Sequence, residues 1–124
     1  MMNPYPAYQV EVEEIHHIHK KDAPSGTALT LTEGVIANTD RKTGWKLEEG
    51  TPVEAAENEV KIKAFREEEV PGTHEIIYQS AIDTIQIKHT AHSRSGFAQG
   101  AVLAAEWLKD KQGVFGMDDL LGLK

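Results

Sequence analysis

The chain has 124 residues, of which 40% are hydrophobic and 27% charged, a composition typical of one soluble domain with a modest core. It has no cysteine, which excludes disulfides, thiolate nucleophiles and zinc–cysteine sites. The net charge of −7 argues against general binding to nucleic acid or to an anionic membrane. No apolar run approaches the roughly 20 residues of a membrane helix. No basic segment followed by an apolar stretch opens the chain, so we expect no signal peptide and a cytoplasmic protein.

The first predicted elements are a strand and a helix joined by a polar loop. Apolar and polar residues alternate over residues 8–12, which predicts a strand with one buried face. This alternation is interrupted at residues 13–14. Ser25 is a candidate cap for a helix that begins at Gly26, and apolar residues at helical spacing extend it to about Ala37.

The rest of the chain predicts three strands and a long helix. Residues 38–58 are polar and rich in turn formers, so we predict a long excursion with at most local structure there. Further strands are predicted around residues 60–64, 74–79 and 85–88. The last long element is a helix over residues 95–109, which is apolar on nearly all sides and is therefore expected to be buried on more than one.

This order of elements predicts an α+β fold. We expect a single mixed sheet of about four strands, with helices packed on one face. The other face of the sheet is too polar to be a core and too regular to be ignored. Such a face often meets a symmetric copy of itself, so we expect it to serve oligomerisation.

The residues between the first strand and the first helix concentrate the chemistry. Three histidines and two lysines lie within residues 16–21, just before a helix N-terminus with unpaired N–H groups and a positive dipole end. Gly26 lets a ligand approach the backbone closely, and Thr27 adds a hydroxyl. Lysine, amides and a hydroxyl suit a carboxylate or phosphate, and histidine can transfer a proton near neutral pH. The residues alone therefore predict an anion site with an acid–base group beside it.

Three plainer interpretations of this segment stay open at this point. It is equally well described as a solvated loop of mixed charge without function. Residues 22–27 can also serve only as a turn into a capped helix. A metal cluster of His16, His17 and His19 is disfavoured because Lys20 and Lys21 would repel a cation.

A family resemblance changes this balance. The signature of the dihydrodipicolinate reductases, also called 4-hydroxy-tetrahydrodipicolinate reductases, resembles the run Glu14-x-His16-His17-x-x-Lys20-x-Asp22-Ala23-Pro24-Ser25-Gly26-Thr27-Ala28. Further similar stretches are Gly72-x-His74-Glu75, His89-x-Ala91-x-Ser93-Arg94-x-x-Phe97-Ala98-x-Gly100-Ala101-Val102 and Met117-Asp118-Asp119-Leu120-Leu121. The resemblance covers nearly the whole chain and is weakest over residues 38–58. Ile18, His19 and Lys21 fall at positions that the pattern leaves open.

The resemblance implies a reaction and a set of site residues. In these reductases NADH or NADPH delivers hydride to a cyclic unsaturated dicarboxylate of the diaminopimelate and lysine pathway. Carried over residue by residue, His16 would be the catalytic acid–base residue and Lys20 the second proton donor. His17 and the amides of Gly26 and Thr27 would bind the substrate.

Other polar residues near this motif have less definite roles. For Glu14, Asp22 and Ser93 we favour stabilisation of the loop and the helix cap. Arg94 is a candidate either for the structure of its own domain or for the cleft.

The resemblance also implies a domain organisation. No Gly-x-Gly-x-x-Gly turn occurs in the chain, so we expect residues 1–124 to be the C-terminal substrate-binding and oligomerisation domain, without the N-terminal nucleotide-binding domain. We expect no cofactor or metal bound to this chain and no hydride transfer by it alone. Residues 116–124 would form a tail that returns to the nucleotide domain. The family assembles as a homotetramer through its sheets. The alternative is a non-catalytic module for dicarboxylate binding or assembly.

Overall fold

A five-stranded mixed sheet dominates the computed structural model, which describes residues 1–123 and divides into two units, Met1–His92 and Ser93–Lys124. The first unit contains β1 (Gln9–His16), α1 (Gly26–Ala37), β2 (Gly44–Glu49), β3 (Glu59–Arg66), β4 (Thr73–Gln79) and β5 (Thr84–Thr90). The strand order is β2-β3-β1-β4-β5. β2, β3 and β1 are parallel, and β4 is antiparallel to both of its neighbours. The prediction of an α+β fold with a single mixed sheet is confirmed, with five strands instead of about four.

The additional strand is β2, and it corrects the prediction of a long excursion over residues 38–58. β2 lies at the edge of the sheet beside β3, where Leu47 pairs with Ile62. Leu47 is only partly buried, and Trp45 on the same strand is 39% exposed. The alternation of apolar and charged residues in β2 is short, with Trp45 and Leu47 as its two apolar members, and it lies within a stretch rich in turn formers.

The core lies between the sheet and α1. It consists of four residues from β1 and β3 and two from α1: Val10, Val12, Val60, Ile62, Ala28 and Val35. The predicted helix over Gly26–Ala37 is confirmed at both ends. Ser25 caps it, because its Oγ accepts a hydrogen bond from the N–H of Ala28 at 3.2 Å.

β1 continues through the point where the sequence suggested an interruption. Glu14 lies on the same face as Val10 and Val12 and is fully buried. The expected break at residues 13–14 is therefore wrong. The alternation persists, but a charged residue occupies a core position, which is tolerated only where the charge is paired and hydrogen-bonded.

The sheet face opposite α1 is covered by ion pairs, and we call it the charged face. Lys63 Nζ lies 2.7 Å from Glu11 and 3.7 Å from Glu13, and Lys61 Nζ lies 3.4 Å from Glu48. These side chains alternate in sign across the ladder between β1 and β3. The expected polar regularity of this face is therefore present.

The second unit contains α2 (Ser95–Leu108) and α3 (Met117–Leu120). Trp107 and Phe115 make an edge-to-face contact at 5.3 Å, and the Lys111 ammonium lies 4.5 Å from the centre of the Trp107 ring. The predicted helix is confirmed, but its expected burial is not. Within the described part of the chain α2 buries none of its residues, and Val102 is 58% exposed. One helix and a short following segment provide too little protein to cover a surface that is apolar all round.

The predicted tail over residues 116–124 contains α3, and its last residue, Lys124, lies outside the described residues. At its start the N–H of Gly116 donates to Asp119 Oδ2 at 2.7 Å. Its return to a nucleotide domain stays a prediction. Over residues 1–123, no helix has both the length and the apolar character needed to cross a membrane.

Candidate functional site

The buried carboxylate of Glu14 is the centre of a hydrogen-bonded network, which we call the Glu14 network. Its side chain is 0% exposed. Arg66 donates to both oxygens, at 3.0 Å and 3.2 Å. Nδ1 of His16 lies 2.5 Å from Oε2, and the backbone N–H of Ser25 donates to Oε1 at 3.1 Å. One carboxylate therefore joins a histidine, an arginine and the cap of α1.

The sheet registers explain why these residues meet. Glu14 and His16 are two residues apart on β1, so both side chains lie on the face that carries α1. The parallel ladder pairs His16 with Arg66 of β3, and the antiparallel ladder pairs Glu14 with His74 of β4. Ser25 follows the loop after β1 and starts α1 directly above this point.

The network keeps Glu14 ionised. Burial by itself raises the pKa of this carboxyl group, but hydrogen bonds from Arg66, His16 and Ser25 outweigh burial and lower its pKa below 4.5. Glu14 is therefore a carboxylate at neutral pH. A carboxylate can accept hydrogen bonds but cannot donate them.

The His16 ring is confined on several sides. Its side chain is 12% exposed, and its ring meets His74 edge-on at 5.0 Å. Nε2 faces Gly72, because a Cβ built on that glycine would lie 3.2 Å from it. His74 in turn has Nε2 at 3.1 Å from Ser25 Oγ. Burial first, and then the neighbouring His16, lower the pKa of His74 below 6.5.

Lys20 and Asp22 form an ion pair in the loop between β1 and α1. Their Nζ and Oδ1 atoms are 2.9 Å apart, and the Lys20 side chain is 23% exposed. The pKa of Asp22 is lowered, mainly by this hydrogen bond from Lys20. Arg66 attaches the loop to the network, since it donates to the carbonyls of Asp22 at 2.6 Å and Lys20 at 3.3 Å.

The predicted substrate-binding residues lie in two different environments. Gly26 and Thr27 are exposed at the first turn of α1, and a Cβ added to Gly26 would have no atom of residues 1–123 within 4 Å. The N-terminus of α1 therefore faces open space. His17 has its ring 6.0 Å from that of His19. Its buried Nδ1 has no hydrogen-bond partner among residues 1–123.

The structure thus brings together some of the predicted residues and adds others. His16 and the start of α1 share Glu14, and Lys20 is linked to the same carboxylate through Arg66. Arg66 and the bond between Ser25 and His74 were not expected from the sequence. Arg66 is the last residue of β3 and lies in a charged stretch of the sequence. Its position beside His16 follows from the register of β3 against β1.

For Glu14 and Asp22 we predicted a role in stabilising the loop and the helix cap, and both side chains make contacts of that kind. Glu14 binds the N–H of the cap residue Ser25, and Asp22 pairs with Lys20 inside the loop. Ser93 accepts from the N–H of Ser95, at the start of α2. In the part of the chain that the structure describes, no group of three or more His, Cys, Asp or Glu is arranged to hold a metal ion.

The chain thus contains an α+β domain in which a buried carboxylate joins a histidine to the cap of a helix. Residues 1–121 match the family model described as dihydrodipicolinate reductase, C-terminus. The chain belongs to the dihydrodipicolinate reductase family and corresponds to its C-terminal part.

Several relatives agree with this placement. A 4-hydroxy-tetrahydrodipicolinate reductase of Christiangramia forsetii is 53% identical over 121 residues, which cover 98% of this chain and 48% of the relative. A reductase of the same name from Methanosarcina acetivorans is 41% identical over 117 residues, covering 94% of this chain and 44% of the relative. The chain therefore spans about half the length of these curated relatives.

A solved structure with the same fold is a dipicolinate-bound dihydrodipicolinate reductase from a Paenisporosarcina species. It superposes with a TM-score of 0.68 at 22% identity, over 95% of this chain and 46% of that one.

Proposed function

We propose that this chain is the substrate-binding domain, with the catalytic residues, of a cytoplasmic 4-hydroxy-tetrahydrodipicolinate reductase of lysine and diaminopimelate biosynthesis. His16 acts as the acid–base residue and Lys20 as the second proton donor. His17 and the backbone N–H groups of Gly26 and Thr27 bind the dicarboxylate substrate.

The observation that carries this proposal is the carboxylate shared by the histidine and the helix cap. Glu14 accepts from His16 at one oxygen and from the N–H of Ser25 at the other. The imidazole and the N-terminus of α1 are therefore held at a fixed separation. A small dianion bound at the helix N-terminus lies within reach of the acid–base group.

The side chains suit a reduction that also needs a proton. The nicotinamide, when bound, supplies the hydride, and negative charge then develops on the conjugated ring of the substrate. Lys20 stabilises this charge as a cation, and His16 delivers a proton to the neighbouring carbon. The buried Nδ1 of His17 has no hydrogen-bond partner within residues 1–123, which supports a role in holding the substrate, because a bound group can satisfy such a nitrogen.

The binding half of the proposal can be tested on the chain alone with pyridine-2,6-dicarboxylate, a planar mimic of the substrate. We expect it to shift the amide NMR signals of Gly26 and Thr27. Lys20→Ala should abolish the shifts, whereas Lys21→Ala, which removes an exposed lysine from the same loop, should keep them. Shifts that persist in Lys20→Ala, or that avoid the start of α1, would contradict the assigned site.

The catalytic half requires the nucleotide-binding domain. The chain alone is expected not to oxidise NADH or NADPH in the presence of substrate, since its sequence has no Gly-x-Gly-x-x-Gly turn. In a chimera, this chain replaces the matching half of the Christiangramia forsetii relative. We expect hydride transfer with the wild-type and Lys21→Ala chains and a large loss with Lys20→Ala. A folded, inactive chimera that binds the mimic would instead indicate the alternative, a non-catalytic binding or assembly module.

We also propose that the chain assembles as a homotetramer through the charged face. Its paired lysines and glutamates make this surface complementary to a rotated copy of itself. Sedimentation velocity tests the proposal, and reversing one charge with Lys61→Glu should weaken the assembly. A clean monomer at high concentration would contradict it.

A further inference from the structure

We propose that Glu14 is a positioning residue that fixes the tautomer of His16. Nδ1 keeps its proton in both the neutral and the protonated ring, so the imidazolium form gives the substrate the proton on Nε2 and returns to the neutral Nδ1–H form. The part that concerns the substrate rests on the proposed function. The tautomer itself is a property of this chain and can be measured without a ligand.

The donors around Glu14 determine which nitrogen carries the proton. Its carboxylate is fully buried, and four donor atoms point at it: two from Arg66, one from Ser25 and Nδ1 of His16. Three of these donors are always protonated under ordinary conditions. Because an ionised carboxylate has no hydrogen to give, the short contact with Nδ1 is a hydrogen bond only if the histidine donates. The neutral imidazole is therefore the Nδ1–H form.

The other nitrogen is directed to a position without a side chain. Nε2 of His16 faces Gly72, where an added Cβ would lie only 3.2 Å away. By contrast, Nε2 of His74, the second histidine of this cluster, is bonded to Ser25 Oγ at 3.1 Å. In His16, therefore, Glu14 holds Nδ1, whereas Nε2 faces the position where Gly72 has no side chain.

Arg66 keeps the carboxylate in the orientation that this arrangement requires. Its two-point contact with Glu14 fixes the plane of the carboxylate, and its bonds to the carbonyls of Lys20 and Asp22 fix the loop that carries Lys20. The two proposed proton-transfer residues therefore depend on one arginine and one glutamate, neither of which needs to touch the substrate.

Glu14→Gln separates a positioning role from a purely structural one. The amide keeps the shape of the carboxylate but can present either an oxygen or an NH₂ group to Nδ1. A purely structural role would change the stability and leave the tautomer as it was. The positioning role predicts that a substantial fraction of His16 moves its proton to Nε2.

Nitrogen NMR of the histidine side chains measures this directly in the full chain at a pH of about 8.5, where imidazoles are neutral. We expect wild-type His16 to be protonated at Nδ1 and this preference to be lost in Glu14→Gln. The matched control is Glu69→Gln, which alters an exposed carboxylate 3.3 Å from His19 and should leave His16 unchanged. A wild-type His16 protonated at Nε2 would overturn the proposal without any variant. An unchanged tautomer in folded Glu14→Gln would also overturn it.

A second measurement separates this inference from the proposed function. In the active chimera, Glu14→Gln should lower kcat by about 100-fold with little change in KM, because general acid catalysis of this kind contributes roughly 10²–10⁴-fold. On the chain alone, Glu14→Gln should still bind pyridine-2,6-dicarboxylate at Gly26 and Thr27. If the tautomer is as expected but the mimic does not bind, the proposed function fails and the role of Glu14 toward His16 stands. If the mimic binds but wild-type His16 is protonated at Nε2, the proposed function stands and the role of Glu14 toward His16 fails.

Discussion

His16 and Arg66 are partners across the parallel ladder between β1 and β3, and both donate to the same oxygen of Glu14, at 2.5 Å and 3.0 Å. The buried charge of Glu14 is thus neutralised by Arg66, which is far away in sequence but lies on the neighbouring strand of the sheet. This relationship couples the stability of the domain to the orientation of its proposed acid–base residue.

Removing the arginine should destabilise the domain strongly. Arg66→Gln leaves the Glu14 carboxylate buried without its cation, and loss of one partner of a buried pair costs about 3–5 kcal/mol. The control is Lys63→Gln on the same strand but on the charged face, where loss of a partly exposed pair should cost less than about 1 kcal/mol. Urea denaturation of the two variants tests the difference. Equal losses would show that the Glu14–Arg66 pair is no more important than a surface pair.

Acidification should destabilise the domain through Glu14. Its folded-state pKa lies below the ordinary value of 4.5, so between these two values the unfolded chain binds the proton and the folded chain does not. The stabilisation is therefore complete above pH 4.5 and is lost as the pH falls through the lower, folded pKa. Glu14→Gln should be less stable at neutral pH and should show a flatter loss below pH 4.5. Urea midpoints measured at a series of pH values test this, and parallel curves for the two proteins would contradict it.

His74 should titrate at a lower pH than an ordinary histidine. Burial and the charge of His16 both lower its pKa below 6.5, so the unfolded chain takes up this proton first as the pH falls. Its contribution to stability is therefore present above pH 6.5 and is lost as the pH decreases below it. His16→Gln should raise the pKa of His74, because one of the two main causes of the shift is removed. Proton NMR titration of the imidazole C–H signals measures both values.

A methyl group at Gly72 should disturb the His16 ring. The added Cβ would lie 3.2 Å from Nε2, and φ is +157° at this position, so Gly72→Ala is expected to destabilise the domain by about 1–3 kcal/mol. It should also shift the NMR signals of His16. Gly44→Ala, in β2 with open space around its Cβ position, is the matched control and should change neither. A Gly72→Ala protein with unperturbed His16 signals would mean that the ring does not face this glycine.

Most of the helices and strands could be predicted from the periodicity of apolar residues, whereas β2 and the burial of α2 could not. α1 was predicted at both ends because a serine cap and an apolar stripe are local signals. β2 was missed because its alternation, with Trp45 and Leu47 as the apolar members, is short and lies within a stretch rich in turn formers. The burial of α2 was overestimated because an apolar surface does not specify what covers it.

The sequence suggested which residues form the candidate site, and their functional roles stay predictions, but it did not suggest the contacts between them. The residues from His16 to Thr27 stood out because they are contiguous in sequence. Glu14 instead interrupted the apparent alternation of its strand, and its charge concealed its place in the core. The partner that makes this place tolerable, Arg66, is brought near by the register between β1 and β3. Such a register depends on the whole sheet and cannot be derived from either strand alone.

β5 ends the sheet, with β4 as its hydrogen-bonded neighbour, and all seven of its residues are exposed. Ile85 and Ile87 lie on one side of this strand at 39% and 59% exposure, and Lys88 is its only charged residue apart from a histidine. Extended edges with few charges recruit further strands from other molecules. We therefore expect concentrated solutions of the chain to self-associate by sheet extension at β5, and a second lysine in place of Gln86 to reduce this tendency.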